Sequence, residues 1–291
     1  MAHRLTPEQW RPLEAAHHAR ADAATAAHRS RRQGARAHPV EDFLFTYYMH
    51  SPAQLRRWHP GLGFALEGAA QRDKWKFYRY ADHAAALDLE AFLESRSTTL
   101  RFVAELLSAT ATRPAHLGCF GLHELAMVYR QSPEQLRHGQ WPLRLGRTGT
   151  DEVVESHQIR CSHFDAYRFF TGPARALNTI IPTRDSRVAM EQPGCLHAAM
   201  DLYKWAYKLS PAIASDLTAD CFDLAKEVRE LDMRAAPYDL RSLGYEPVKI
   251  ETAQGKATYV EAQRDFAKRA GVLRRRLVDA CDTLLTSARD R

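Results

Sequence analysis

HPVEDFLFTYYMHSPAQLRRWHPGLG, residues 38–63, gathers three histidines, two carboxylates and the rings of Phe43, Phe45, Tyr47, Tyr48 and Trp58 into little more than two dozen positions. Pro39 suits the first helical position, where its missing N–H is not needed, and Glu41 and Asp42 follow where the helix dipole favours negative charge. At 100° per residue Val40, Phe43, Leu44 and Tyr47 share one face, while Glu41, Phe45 and Tyr48 share a second. Apolar groups on more than one face predict a buried helix. A carboxylate held between rings should titrate above its ordinary range, and such groups gather at working sites. Glu41 is therefore a candidate acid, although an N-terminal cap over an aromatic core accounts for the same residues.

Upstream, residues 1–36 read as an alanine- and arginine-rich helix starting at Thr6 or Pro7. Its second half has little to bury and should lie on the surface or project as an arm. Residues 37–291 read as one helical core domain. Within it KWKFYRY, residues 74–80, alternates basic and aromatic side chains as a short half-buried strand does. Residues 88–111 form an amphipathic helix and 117–130 a buried one, while 153–170 fits strand and helix alike. Helices follow at 195–209 and 214–233. Residues 248–250 and 257–260 flank Gln254-Gly255 as a short hairpin would, and a long basic helix runs from Tyr259 to Thr286. The expected fold is mainly α: a single helical domain with a small β hairpin or short strands.

The chain has 291 residues and a formal charge of +6, with basic clusters at Arg29, Arg31, Arg32 and Arg36, at Arg56 and Arg57, and at Arg274, Arg275 and Arg276. Such clusters are compatible with a phosphate backbone. No run of about twenty apolar residues is present, so no membrane span is expected. The polar first residues lack the apolar stretch of a signal peptide, and a cytoplasmic protein is expected. The five cysteines are scattered without a CxxC, which fits reduced core thiols and argues against a cysteine-based zinc site.

His116 and His123 lie two helical turns apart, about 10 Å, too far for one ion. His197 and Asp201 have the spacing of a shared ligand pair, but Lys204 and Lys208 fall on the same helical face, so a solvated salt-bridged stripe is expected. His163-Phe164-Asp165 has the H-x-D spacing of a facial-triad iron site, and on a strand His157 would face the same side. No GxSxG, GxGxxG or Walker loop occurs. The charged face of residues 214–233, with Asp223, Lys226, Glu227 and Glu230, reads as outer surface.

HPVEDFLFTYYMHSPAQLRRWHPG (38–61), CFGLHELAMVYR (119–130), IRCSHFDAYRFFTGPARALN (159–178) and PVKIETAQGKATYVEAQRDFAKRAG (247–271) together resemble a family of high-GC Gram-positive bacteria whose members carry the name 3-methyladenine DNA glycosylase. The resemblance implies an enzyme of DNA repair that excises alkylated purines from double-stranded DNA, without cofactor and without an obligate protein partner. Such an enzyme extrudes and stacks the base while a carboxylate assists hydrolysis of the N-glycosidic bond. On that reading Glu41 and then Asp165 are the catalytic candidates, Tyr48 and Trp58 stack the base, and Arg56, Arg57, Arg274, Arg275 and Arg276 hold phosphates. Two alternatives stand beside it. One is a metal-dependent oxygenase or hydrolase, of non-haem iron type, using His157, His163 and Asp165 with a histidine such as His123 or His197. The other is a non-catalytic helical binding module whose aromatics are core alone.

Overall fold

Thr6 and Pro7 start the first helix, and the Gln9 side chain accepts the Thr6 N–H at 2.9 Å to close its end. The computed structural model describes residues 2–34, 37–136 and 138–289, so Arg36 lies outside the described residues. Along the chain run β1 (His3–Leu5), α1 (Pro7–Gln33), α2 (Phe43–Tyr47), α3 (Pro52–Arg56), β2 (Phe64–Glu67), β3 (Tyr78–Ala81), β4 (Ala84–Leu87) and α4 (Leu89–Thr112). Then come α5 (Leu122–Ala126), α6 (Gly146–Glu155), α7 (Phe164–Tyr167), α8 (Gly172–Leu177), α9 (Arg187–Met190), α10 (Leu196–Lys208), α11 (Ser215–Ala235) and α12 (Ala253–Arg289). The fold is mainly α with a few short strands, as expected. None of the described helices is long and apolar enough to cross a membrane.

The chain divides into two compact units, one of residues 1–108, 202–223 and 273–291, the other of residues 109–201 and 224–272. In the first, a sheet of order β1-β2-β4-β3 is parallel between β1 and β2 and antiparallel elsewhere. Trp10, Trp58, Leu66, Ala69, Tyr78 and Ala85 pack into one cluster. The guanidinium of fully buried Arg72 lies over the rings of Trp75 (4.6 Å), Trp58 (5.3 Å), Trp10 (5.6 Å) and Tyr78 (5.7 Å). The second half of α1 is no free arm: Ala21, Thr25 and His28 continue the buried stripe begun by Trp10 and His17. Small side chains there allow close packing instead of leaving nothing to bury.

Three local expectations give way. The KWKFYRY strand shrinks to β3, because residues 70–74 close a 3-10 turn around Arg72. Residues 117–130 keep only α5 as helix, since Phe120 and Gly121 take positive φ (45° and 73°) just before it. The 248–260 hairpin is absent: Gln254-Gly255 lie inside α12, and a Cβ at Gly255 would collide with the Lys249 carbonyl. That glycine permits a close approach and makes no turn.

His50 is buried in the first unit, its Nδ1 2.8 Å from the Tyr203 hydroxyl and its ring stacked on Tyr207 at 4.6 Å. Burial, helped by the Arg57 charge, pushes its pKa down to about 4. An unfolded histidine binds its proton near pH 6.5. Between those values the unfolded chain holds more protons than the folded one, so stability falls as pH drops from about 6.5 to 4. The loss expected from this group is on the order of 3 kcal/mol. Urea unfolding at pH 7, 5.5 and 4.5 should show a shallower acid loss in a His50→Gln variant than in the wild type. Parallel curves would remove His50 as a source.

Candidate metal centre

In the second unit three helices and two loop segments bring three histidines and four carboxylates together. Helix α5 supplies His123 and Glu124, and an extended segment ending at residue 163 supplies His163. Glu191 caps the C-terminus of α9, the first turns of α10 supply His197 and Asp201, and α11 supplies Arg229 and Asp232. His123, His163, His197, Glu124, Glu191, Asp201 and Asp232 are all buried.

The donor atoms fall into two adjoining groups. In one, ligand atoms of His123, His197 and Asp232 all lie within 4.8 Å of one another; in the other, those of His163, Glu191 and Asp201 do. His123 Nε2 is 2.7 Å from Asp232 Oδ1, and the other Asp232 oxygen accepts from Arg229 at 3.0 Å. Arg229 also donates to Glu124 at 2.9 Å. The His197 ring meets His123 edge-on at 4.4 Å and stacks with His163 at 5.3 Å, so the groups abut through histidine. His163 Nε2 faces Asp201 Oδ2 at 3.3 Å and Glu191 Oε1 at 3.6 Å, yet neither ring nitrogen makes a hydrogen bond among the described residues.

The electrostatics of the first group is that of a buried ion pair. Burial opposes charge on His123, but Asp232 outweighs it and holds the imidazole above its ordinary pKa. Burial likewise opposes charge on Asp232, and His123 overcomes it, holding the carboxyl below the usual range. His197 is pushed well down by burial and by the His123 charge. Burial raises Glu124 against the pull of Arg229. A small cavity with room for about one water adjoins the group, lined by His123, His197, Cys119, Cys161, Cys195 and Arg160 among others. Burial raises all three thiols, Cys161 to about 12, so they are protonated at neutral pH.

The residues expected to form a glycosylase site are placed elsewhere. Glu41 is 40% exposed and paired with Arg31 at 2.6 Å. Asp42 is buried, but Arg31 (2.6 Å), His28 (2.9 Å) and the His38 N–H (2.9 Å) hold it. Burial would raise its pKa, and these bonds outweigh burial and lower it, the reverse of the sequence expectation. Asp165 pairs with Arg187 at 2.6 Å. Tyr48 is buried edge-on to Tyr203 at 5.7 Å, and Trp58 is buried with Arg72 over its ring.

Nor do the basic residues form a single surface. Arg274 is buried, Arg276 pairs with Asp220 at 2.7 Å and Arg56 with Asp22 at 3.0 Å, while Arg57 and Arg275 are exposed. Of the His157, His163 and Asp165 set, the structure brings only His163 into the cluster. Asp165 lies in the first turn of α7, where the strand spacing that paired it with His163 no longer holds. His157 bonds the Val153 carbonyl at 2.6 Å. The solvated stripe expected for His197 and Asp201 is instead buried, because α10 packs on all sides through Ala206.

The sequence reading missed Asp232, Arg229 and Glu191. Asp232 had a signal: it stands four residues after buried Val228 and eight after buried Leu224, a carboxylate on an apolar stripe. Glu191 had none, since it follows a helix of four residues in an irregular segment. No protein-family model matches the chain, and no curated protein or solved structure matches it.

Proposed function

We propose that the protein is a metal-dependent hydrolase whose centre is built from His123, His197 and Asp232 beside His163, Glu191 and Asp201. The observation that carries this reading is His163. A buried imidazole that faces two carboxylate oxygens without hydrogen-bonding either is what ligands converging on a cation look like. Bonds near 2.1 Å place neighbouring ligand atoms roughly 3 Å apart, and His163 Nε2 stands 3.3 and 3.6 Å from its two carboxylate oxygens. The donor set of imidazole and carboxylate suits zinc, manganese or iron. A cation so held supplies Lewis acidity and an activated water. Arg229 fixes the second Asp232 oxygen and so orients the carboxylate, as outer-shell partners do.

Protein purified without a histidine tag should carry, or take up from solution, about two equivalents of such a metal. At a free metal concentration a hundredfold above Kd the fold should gain about 2.7 kcal/mol. Elemental analysis and unfolding curves with and without metal read both quantities. Sub-stoichiometric content after loading with each of the three metals would sink the proposal.

Excision of alkylated purines from DNA is a second proposal. Its supports are the sequence resemblance and the exposed guanidiniums of Arg57 and Arg275. A cytoplasmic location belongs to the same reading, supported by five free cysteines. Formation of abasic sites in methylated duplex DNA is its assay. Full activity in Glu41→Gln and Asp165→Asn variants would move the hydrolytic step away from those carboxylates.

A further inference from the structure

The segment leading to His163 alternates strictly: Ile159, Cys161 and His163 are buried, while Arg160 is exposed and Ser162 half-exposed. Asn178, the chain's single asparagine, keeps it extended. Its amide accepts the Cys161 N–H at 2.7 Å and donates to the Cys161 carbonyl at 3.0 Å, and the Thr179 N–H donates to the Ile159 carbonyl at 2.9 Å. Because the segment is pinned, Arg160 and Ser162 are held at the cavity that also touches His123 and His197. Among the described residues no carboxylate lines that cavity, and Arg160 is the one guanidinium that does. Arg160 pairs with no carboxylate among the described residues, and the Ser162 hydroxyl makes no hydrogen bond among them.

We infer that this cavity admits an oxyanionic group of the substrate, phosphate or carboxylate, between Arg160 and the histidines of the centre. The inference rests on the metal reading for what happens next, and on the cavity alone for binding. Room for about one water is room for one oxygen, so one anionic oxygen enters while the rest of the group stays with Arg160 and Ser162. A guanidinium fork suits such a group geometrically and electrostatically.

Calorimetric titration with inorganic phosphate, and separately with acetate, tests this on metal-loaded and metal-free protein. Wild type should bind at least one of the two anions. Arg160→Gln should weaken that binding at least tenfold, whereas Arg147→Gln, at another exposed arginine of the same unit, should leave it unchanged. Phosphate alone or acetate alone identifies the source of the oxyanion. Equal binding by the Arg160→Gln protein, or no binding of either anion by wild type, would overturn the inference. Metal content of the same samples separates the two claims. Arg160-dependent binding without metal uptake leaves the anion site standing and removes the metal centre, and full metal uptake without anion binding does the opposite.

Discussion

An Arg72→Ala protein should lose about 3–5 kcal/mol of stability, the range for a buried ion pair deprived of one partner. Arg72 has no exposed surface, and its guanidinium donates to Glu14 at 2.6 Å and to the Trp58 carbonyl at 2.7 Å. Truncation removes three things together. Glu14 keeps a largely covered carboxylate without its cation, the Trp58 carbonyl loses its donor, and a void opens among Trp10, Trp58, Trp75 and Tyr78. Lysine at this position restores the charge but not the planar stacking or the second bond, so Arg72→Lys should recover only part of the loss. A double variant, Arg72→Met with Glu14→Gln, should be more stable than Arg72→Ala, because no charge is left unpaired. Guanidinium denaturation midpoints read all three. A loss below about 1 kcal/mol in Arg72→Ala would mean that the rings close over the gap and that the cation contributes little.

Trp58 shows where reading from the sequence stops. Cover over Tyr48 was legible in residues 38–63, since apolar groups on more than one helical face require it, but those faces do not include Trp58. The residue occupying its ring face was not legible either, because Arg72 arrives through a sheet whose strands carry weak signals. β2 (FALE) and β4 (AAAL) contain no β-branched residue, and β1 has only three residues. Arg31 was equally hidden: it reaches Glu41 and Asp42 only because the chain reverses after α1. The periodicity of α10 was legible too, and its surroundings were not. Lys204 and Lys208 argued for a wet face. Lys204 is instead buried, its ammonium 4.4 Å from the Trp205 ring, where an aromatic face accepts a cation, while Lys208 is exposed as expected. Of the metal-centre residues, His123, His163 and the His197/Asp201 pair were visible as ligand types, but which partners they meet depends on contacts distant in sequence.

Substitution at two proposed metal ligands should have unlike effects on the stability of the metal-free protein. Asp232→Ala leaves His123 and Arg229 buried without their shared acceptor, and a loss of about 3–5 kcal/mol is expected. His163→Leu is different. Both its ring nitrogens are buried without a hydrogen bond, so an apolar side chain of similar volume removes a desolvation penalty and breaks no bond. The metal-free His163→Leu protein should therefore be as stable as wild type or more stable by about 1 kcal/mol. Metal should reverse that order: the wild type gains stability on loading, and the variant gains less and binds fewer equivalents. A crossover in unfolding midpoints, with the variant ahead without metal and behind with it, is the signature of a residue kept for binding a cation. Had His163 been retained as a packing or hydrogen-bonding residue, His163→Leu would lie below wild type under both conditions by a similar amount. That outcome would return the cluster to the status of a buried polar network.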